Sequence, residues 1–312
     1  MGFIYQNFAL SVLELWEKAS KVNNKNIHSD LTWTFGIMNG NSHDFLDLQV
    51  HALALASSII LTERVVPKII CCWDIPYSYS SLKKDSEKEK YYPSFLFEAF
   101  KVPHKDFFHK EFRRCYRLSS KYFDLHRSSL SVNGFPYKIG IGYRAKYLAL
   151  NYVQTPYGIM TDADTICLRP TIEYLMQEVN KNPDSFCWSA FWDEVKNQLN
   201  VGLNIYNMNL YRNLYLPKMN ENYWNLPRGD VYFLGSVFHK YPELKNKLKI
   251  QLLDYELISV GKFKPYVMAG NKTTFNTERS MHYHGWKEEY RSNPTGFIKT
   301  FNEILDNLKE IR

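Results

Sequence analysis

Apolar and polar positions in the first third of the chain alternate with two different periods, and together they predict a strand, a helix and a second strand. Residues 33–38, WTFGIM, have the aromatic and aliphatic content of a strand and run into Asn39-Gly40-Asn41, a turn sequence. From about residue 45 to residue 64 the apolar positions recur at helical spacing, and KIICCW, residues 68–73, is again a strand. Parallel strands joined by a helix leave loop residues at the carboxyl ends of the strands, where α/β sheets bind ligands. Asn39, Asn41 and Asp74 stand at such ends. The stretch 50–66 is apolar enough to raise the question of a membrane span. His51, Ser57, Ser58, Thr62, Glu63 and Arg64 interrupt it, so a helix buried against a sheet is expected. The opening segment, MGFIYQNFALSVLELWEKASK, reads as an amphipathic helix; it lacks a basic cluster followed by an uninterrupted apolar run, so no signal peptide is expected.

Residues 78–91, dense in Ser, Lys and Glu, predict a solvated loop able to act as a lid. A helical stretch near 119–131, a strand at 136–142 and a helix from 143 to about 152 follow, until Thr155-Pro156 breaks the pattern. Residues 157–160 are the next strand, with Thr161-Asp162-Ala163-Asp164 at its end. Beyond Pro170 the segments become aromatic-rich: NVGLNIYNMN and SMHYHGW read as strands, and helices are expected near 227–240 and 295–311.

Composition narrows the class. With 312 residues, 45% apolar and 16% aromatic, the chain can fill a substantial core. Its net charge of +7 suits a polyanionic ligand or an anionic membrane surface but is too dispersed to point to nucleic acid. Cys71, Cys72, Cys115, Cys167 and Cys187 are odd in number and contain no C-x-x-C pair, which argues against a disulfide framework or a zinc cluster. Reduced thiols and the lack of a membrane span predict a cytoplasmic protein that can work at the periphery of a membrane.

Asp162 and Asp164 carry the candidate chemistry. In extended chain, residues i and i+2 face one side, so both carboxylates can turn toward one divalent cation. Hard oxygen ligands suit Mn²⁺ or Mg²⁺, which are typically held by one or two carboxylates together with substrate phosphates.

With these residues in place, YRAKYLALNYVQTPYGIMTDADTICLRP resembles the core of GT-A glycosyltransferases, especially family 8, the glycogenin and bacterial galactosyltransferase type. NVGLNIYNMNLYR resembles the family's Asn-x-Gly strand, RGDVYFLGSVF its Asp-containing helix start, and MHYHGW its terminal His-x-x-Gly. The resemblance implies an α/β chain with a GT-A (nucleotide-diphospho-sugar transferase, Rossmann-like) fold: one large domain over 1–312 with a mixed central sheet. The nucleotide-sugar-binding half would span about 30–165, the acceptor-binding half about 166–290, and a C-terminal helix 291–312. It further implies a nucleotide-diphosphate sugar donor, UDP-linked for preference, with Mn²⁺ or Mg²⁺ as cofactor. The sugar would pass, with retention, to a hydroxyl of a carbohydrate, glycoprotein or glycolipid acceptor.

Carried over by position, the resemblance makes Asp162 a metal and ribose contact, Asp164 the main metal ligand and His282 the third, with His284 competing for that role. Phe35, Ile37, Asn39, Asp74 and Ala163 become donor-binding candidates. Arg144 and Lys146 would meet the diphosphate or a sugar hydroxyl, the alternative being a solvated basic helix face. Lys287 would also touch the diphosphate, although it follows Gly285 by two residues where the family has three. Asn200, Gly202 and Asn204 fit a sugar-binding strand, with Asn200 a catalytic candidate. Asp230 either caps a helix or stands near the anomeric carbon as a second catalytic candidate. An inverting enzyme would need a base, for which Asp193, Glu194 and Asp230 are available. Two alternatives remain open: a haloacid-dehalogenase-like phosphatase with Asp162 as nucleophile and Asp164 as general acid, and a non-catalytic carbohydrate-binding protein of the same fold.

Overall fold

The computed structural model describes residues 2–38, 44–74, 120–128, 146–147, 149–163, 165–189, 192–193, 198–199, 203–222, 233–253, 258–262, 280–284, 299, 302–303 and 305–308. The expected turn at 39–41, the loop at 78–91 and the strand at 136–142 lie outside them. The predicted opening unit is present as helix α1 (Gly2–Ser20), strand β1 (Asn26–Met38), helix α2 (Asp44–Thr62) and strand β2 (Val65–Asp74). β1 and β2 run parallel, from Asn26 opposite Val65 to Met38 opposite Asp74, as a helical crossover requires. No helix among the described residues is long and apolar enough to cross a membrane. From Ala52 to Glu63, α2 is buried throughout. The hydroxyls that interrupt its apolar run are satisfied within it, Ser57 donating to Leu53 O and Thr62 to Ser58 O. Its last turn is closed by Lys25, whose Nζ donates to the carbonyls of Ile60, Leu61 and Glu63 at 2.7–2.9 Å.

The stretch near 119–131 departs from expectation. Its described residues, 120–128, hold no helix: Phe123–Ser128 forms β3, parallel to β2 from Ile69 opposite Phe123 to Asp74 opposite Ser128. The ladder offered by β2 outweighs a weak local helical pattern, because propensity yields to tertiary pairing. Phe123 then packs edge-on against Trp16 of α1 and stacks with Phe35 of β1, at ring-centroid separations of 5.2 and 6.5 Å.

Seven strands form one mixed sheet in the order β10-β6-β9-β4-β1-β2-β3. Its remaining members are β4 (Tyr157–Thr161), β6 (Cys187–Ser189), β9 (Leu203–Asn207) and β10 (Ile250–Leu252). β4 is central, parallel to β1 and antiparallel to β9. Between β4 and β6 runs helix α3 (Ile172–Lys181), which the sequence reading overlooked although Ile172, Leu175 and Val179 supply a buried stripe at helical spacing. A smaller sheet has the order β11-β12-β5, from Ile258–Lys262, Ser280–His284 and Thr165–Cys167. A two-strand ribbon of β7 (Trp192–Asp193) and β8 (Gln198–Leu199) pairs Trp192 with Leu199.

One face of the large sheet is closed by α1 and α2 over Trp33 and Phe35. Its other face is closed by the segment 146–153 and by helical residues from Met208 onward, over Met160 and Tyr206. Gly158 makes that second closure tight. A Cβ there would meet Met208 Sδ at 3.0 Å, Leu150 Cδ2 at 3.2 Å and Val153 Cγ2 at 3.3 Å, so any larger residue would press these side chains outward. Where NVGLNIYNMN was expected to continue as strand, β9 stops at Asn207. The Asn207 side chain accepts from the N–H groups of Asn209 and Leu210 and so starts the helix that follows. The expected helix near 227–240 is present as α4 (Phe233–Lys240). Residues 299, 302–303 and 305–308 are helical, inside the range expected for the last helix.

Candidate active site

The carboxyl ends of three adjacent parallel strands and of β4 lie at one end of the large sheet. Met38, Asp74 and Ser128 close β1, β2 and β3 side by side, and Thr161 of β4 pairs with Phe35, three residues before the end of β1. The chain leaves β4 at Asp162, and this exit is fixed from below by the Trp33 indole, which donates to Thr161 Oγ1 at 3.0 Å in a fully buried position. Thr34 adds a bond to Ile159 O at 2.8 Å.

Asp162 does not continue as extended chain. The Thr165 N–H donates to the Asp162 carbonyl at 3.3 Å, which turns the chain at Asp162 and Ala163. Ala163 is buried in that turn. Asp164 lies outside the described residues, as do Asn39, Arg144, Asn200, Gly202, Asp230 and Lys287.

Lys146 meets Asp162 directly. Its Nζ is ion-paired with Asp162 Oδ1, with the two side chains 10% and 20% exposed. The solvated basic face considered from the sequence is thus corrected for this lysine. Segment 146–153 is pressed onto β4 above Gly158, and its first turn carries the ammonium group inward, where a lone cation would be costly and a carboxylate partner offsets that cost.

β12 approaches the same turn from the other side. It is antiparallel to β5, with Ser280 opposite Cys167, Met281 opposite Ile166 and His282 opposite Thr165. His282 and His284 occupy alternate positions of β12, and the direction of the ladder carries the strand beyond His282 toward the Asp162 turn. Thr165 is buried, and its hydroxyl has no hydrogen-bond partner among the described residues.

The remaining candidates are spread by register. Ile37 and Asp74 lie at the carboxyl edge of the sheet, opposite Trp73 and Met38. Phe35 is fully buried against Phe123, so backbone groups are all it can offer a ligand. Asn204 pairs with Met160 on one side and Ser189 on the other, on the sheet face that carries segment 146–153. It is 0% exposed, and neither its amide oxygen nor its nitrogen has a partner among the described residues. A buried amide so placed has two unspent hydrogen-bonding functions. Asp193 lies on β7, in the separate ribbon.

Among the described residues there is no group of three or more His, Cys, Asp or Glu able to hold a metal ion. The Asp162 carboxylate is a hard oxygen donor of the kind Mn²⁺ and Mg²⁺ select, and it is partly exposed at a strand end, which fits a site completed by substrate.

No family model and no curated protein sequence matches the chain. Solved structures do. The galactosyltransferase LgtC, in complex with donor and acceptor sugar analogues, superposes with a TM-score of 0.51 at 11% identity, over 90% of this chain and 97% of that one. Mouse xyloside xylosyltransferase 1 in its apo form gives 0.44 at 12% identity, over 82% and 98%. The glycosyltransferase GlyE of Streptococcus pneumoniae gives 0.49 at 13% identity, over 91% of this chain and 63% of that one, so the chain spans less than two thirds of GlyE. The likeness to LgtC, together with the seven-strand mixed sheet, gives this chain the GT-A fold.

Proposed function

We propose that this GT-A protein is a metal-dependent glycosyltransferase. It would move a sugar from a nucleotide-diphosphate donor, UDP-linked for preference, to a hydroxyl of a carbohydrate, glycoprotein or glycolipid. The observation that carries this reading is the position of Asp162 at the carboxyl end of the central strand, ion-paired with a buried lysine and flanked by the β5–β12 ladder that bears His282. Fold alone does not imply activity; the argument rests on that constellation.

In this reading Asp162, Asp164 and His282 hold the cation, with His284 the competing ligand. When bound, the metal supplies positive charge against the departing nucleoside diphosphate. Asp162 fixes the donor's phosphate end at the sheet edge. Lys146, already poised there, exchanges part of its contact with Asp162 for a phosphate or hydroxyl oxygen. Arg144, Lys287, Asn39, Asp74, Ile37 and Ala163 complete the donor contacts. The amides of Asn200 and Asn204 read sugar hydroxyls, to which they can both donate and accept, and the orphaned amide of Asn204 supports that role. Asp230 stands at the reacting carbon. Transfer proceeds with retention, and proton NMR of the first-formed product from a defined donor would show inversion if this is wrong.

Thermal melting of the whole chain with Mn²⁺ and a panel of UDP- and GDP-sugars tests the proposal. A donor at a hundred times its Kd stabilises the folded state by about 2.7 kcal/mol. Asp164→Ala should remove the Mn²⁺-dependent part of that shift; an equal shift in the variant would reject the assignment.

A further inference from the structure

The turn that carries Asp162 lies between β4, paired on both edges, and β5, a three-residue strand at the edge of its sheet with β12 as its one strand neighbour among the described residues. So short an edge strand is weakly fixed by its ladder alone. On its other side lies not a strand but α2, and two buried side chains, Ser58 of that helix and Glu63 just past its end, take up backbone N–H groups that a neighbouring strand or a local cap would otherwise satisfy. Ser58 Oγ, which donates to Leu55 O at 2.8 Å, accepts from the Cys167 N–H at 3.0 Å. The hydroxyl thereby uses a donor and an acceptor function at once.

Glu63 acts one turn later. Its Oε1 accepts from the Thr171 N–H at 2.7 Å and, more weakly, from the Ile172 N–H at 3.4 Å, which are the first orphan donors of α3. Thr171 does not cap α3 itself, because its hydroxyl is turned to Arg169 O at 2.8 Å. A carboxylate from just past the end of a helix more than a hundred residues earlier therefore stands where a local capping side chain would, and its charge suits the positive end of the α3 dipole.

We infer that Ser58 and Glu63 are positioning residues for the metal-binding turn. From α2 and just past its end they clamp the segment from Cys167 to Ile172, which fixes where β5 lies and, through the β5–β12 ladder, where His282 is presented to Asp162. The inference rests on the glycosyltransferase reading of Asp162 and His282 given above. It also assigns a role to polar residues in and just past α2 that a purely apolar packing helix would not need.

The test uses the full chain and Mn²⁺ titrated in the presence of UDP, followed by calorimetry, with amide hydrogen exchange and thermal melting measured on the same samples. Ser58→Ala and Glu63→Ala should raise the half-saturating Mn²⁺ concentration by about 10-fold or more, as loss of outer-shell support does at metal sites. They should also lose exchange protection at residues 165–167 while β4 keeps its own. Glu63→Gln, which retains an acceptor oxygen, should stay close to wild type, and if Glu63→Ala does not fold, the Mn²⁺ affinity of Ser58→Ala decides the matter. Asn207→Ala, which removes a cap at the far end of β9, should lower the melting temperature with Mn²⁺ affinity unchanged. Wild-type Mn²⁺ affinity in folded Ser58→Ala and Glu63→Ala would overturn the clamp and leave the metal site standing. A wild-type chain that takes up no Mn²⁺ with UDP would overturn the site reading and the inference with it.

Discussion

At the level of single residues, the contact between Lys146 and Asp162 is the one from which most follows. The pair holds both charges in a poorly hydrated position, so removing either group takes from the other an opposite charge it is buried against. Lys146→Met should therefore destabilise the chain by about 1–3 kcal/mol, below the figure for a fully buried pair because Asp162 keeps some exposure to water. Asp162→Asn should lower the melting temperature as well, by taking that opposite charge from the ammonium, and should also abolish the Mn²⁺-dependent shift. Denaturant titrations with and without Mn²⁺ and UDP separate the two effects; a metal response that survives Asp162→Asn would remove this carboxylate from the site. The place of Asp162 at the end of a strand was legible in the sequence because a strand and its end are local properties. Its partner was only half legible: Lys146 could be placed on a helix entering the strand, but whether it faced water depended on how closely that helix lies on β4. The unsatisfied amide of Asn204 left no mark in the pattern at all, since one polar letter in a buried strand reads the same whether its amide is satisfied or not.

At the level of elements, Gly158 governs that closeness. A valine there would drive its Cβ and methyl groups into Met208, Leu150 and Val153 and lift segment 146–153 from the sheet. Gly158→Val should cost about 1–3 kcal/mol by overpacking, and should weaken the Lys146–Asp162 pair at the same time. Equilibrium unfolding measures the first, and loss of any further effect of Lys146→Met in the Gly158→Val background measures the second. The strand–helix–strand opening was readable because two short strand-like runs, WTFGIM and KIICCW, flank a longer apolar stretch of helix length. β3 was not, because six residues of FDLHRS carry too little periodicity to show that β2 has a free edge waiting for them. α3 had a clear apolar stripe, but its start is set by Glu63, a residue no local capping rule would consult. The switch from β9 into helix at Asn207 is the reverse case, a start signal plainly written as Asn-Met-Asn and overlooked.

For the whole molecule, the large sheet explains how most of the cysteines are spent. Cys71 and Cys72 lie on β2, Cys167 on β5 and Cys187 on β6, all buried and none in a disulfide. Burial raises the thiols of Cys71, Cys167 and Cys187 well above their ordinary range, so almost none is thiolate at neutral pH. A thiol reagent at pH 8 should leave all four unmodified in the native chain and label them once the chain is unfolded. Mass spectrometry of labelled peptides checks this, and rapid native labelling of Cys187 would contradict the packing of β6 against β9. The reading of the cysteines as reduced thiols followed from their odd number and spacing, whereas their distribution over three strands required the topology.

The ion pair at the end of β4 has a consequence for handling and for evolution alike. An anionic cofactor site commonly pushes its own carboxylates apart until a cation arrives, which ties folding to metal supply. Here an internal counterion, the Lys146 ammonium, already faces Asp162, so at the proposed metal site a chelator should remove the cation without unravelling the chain.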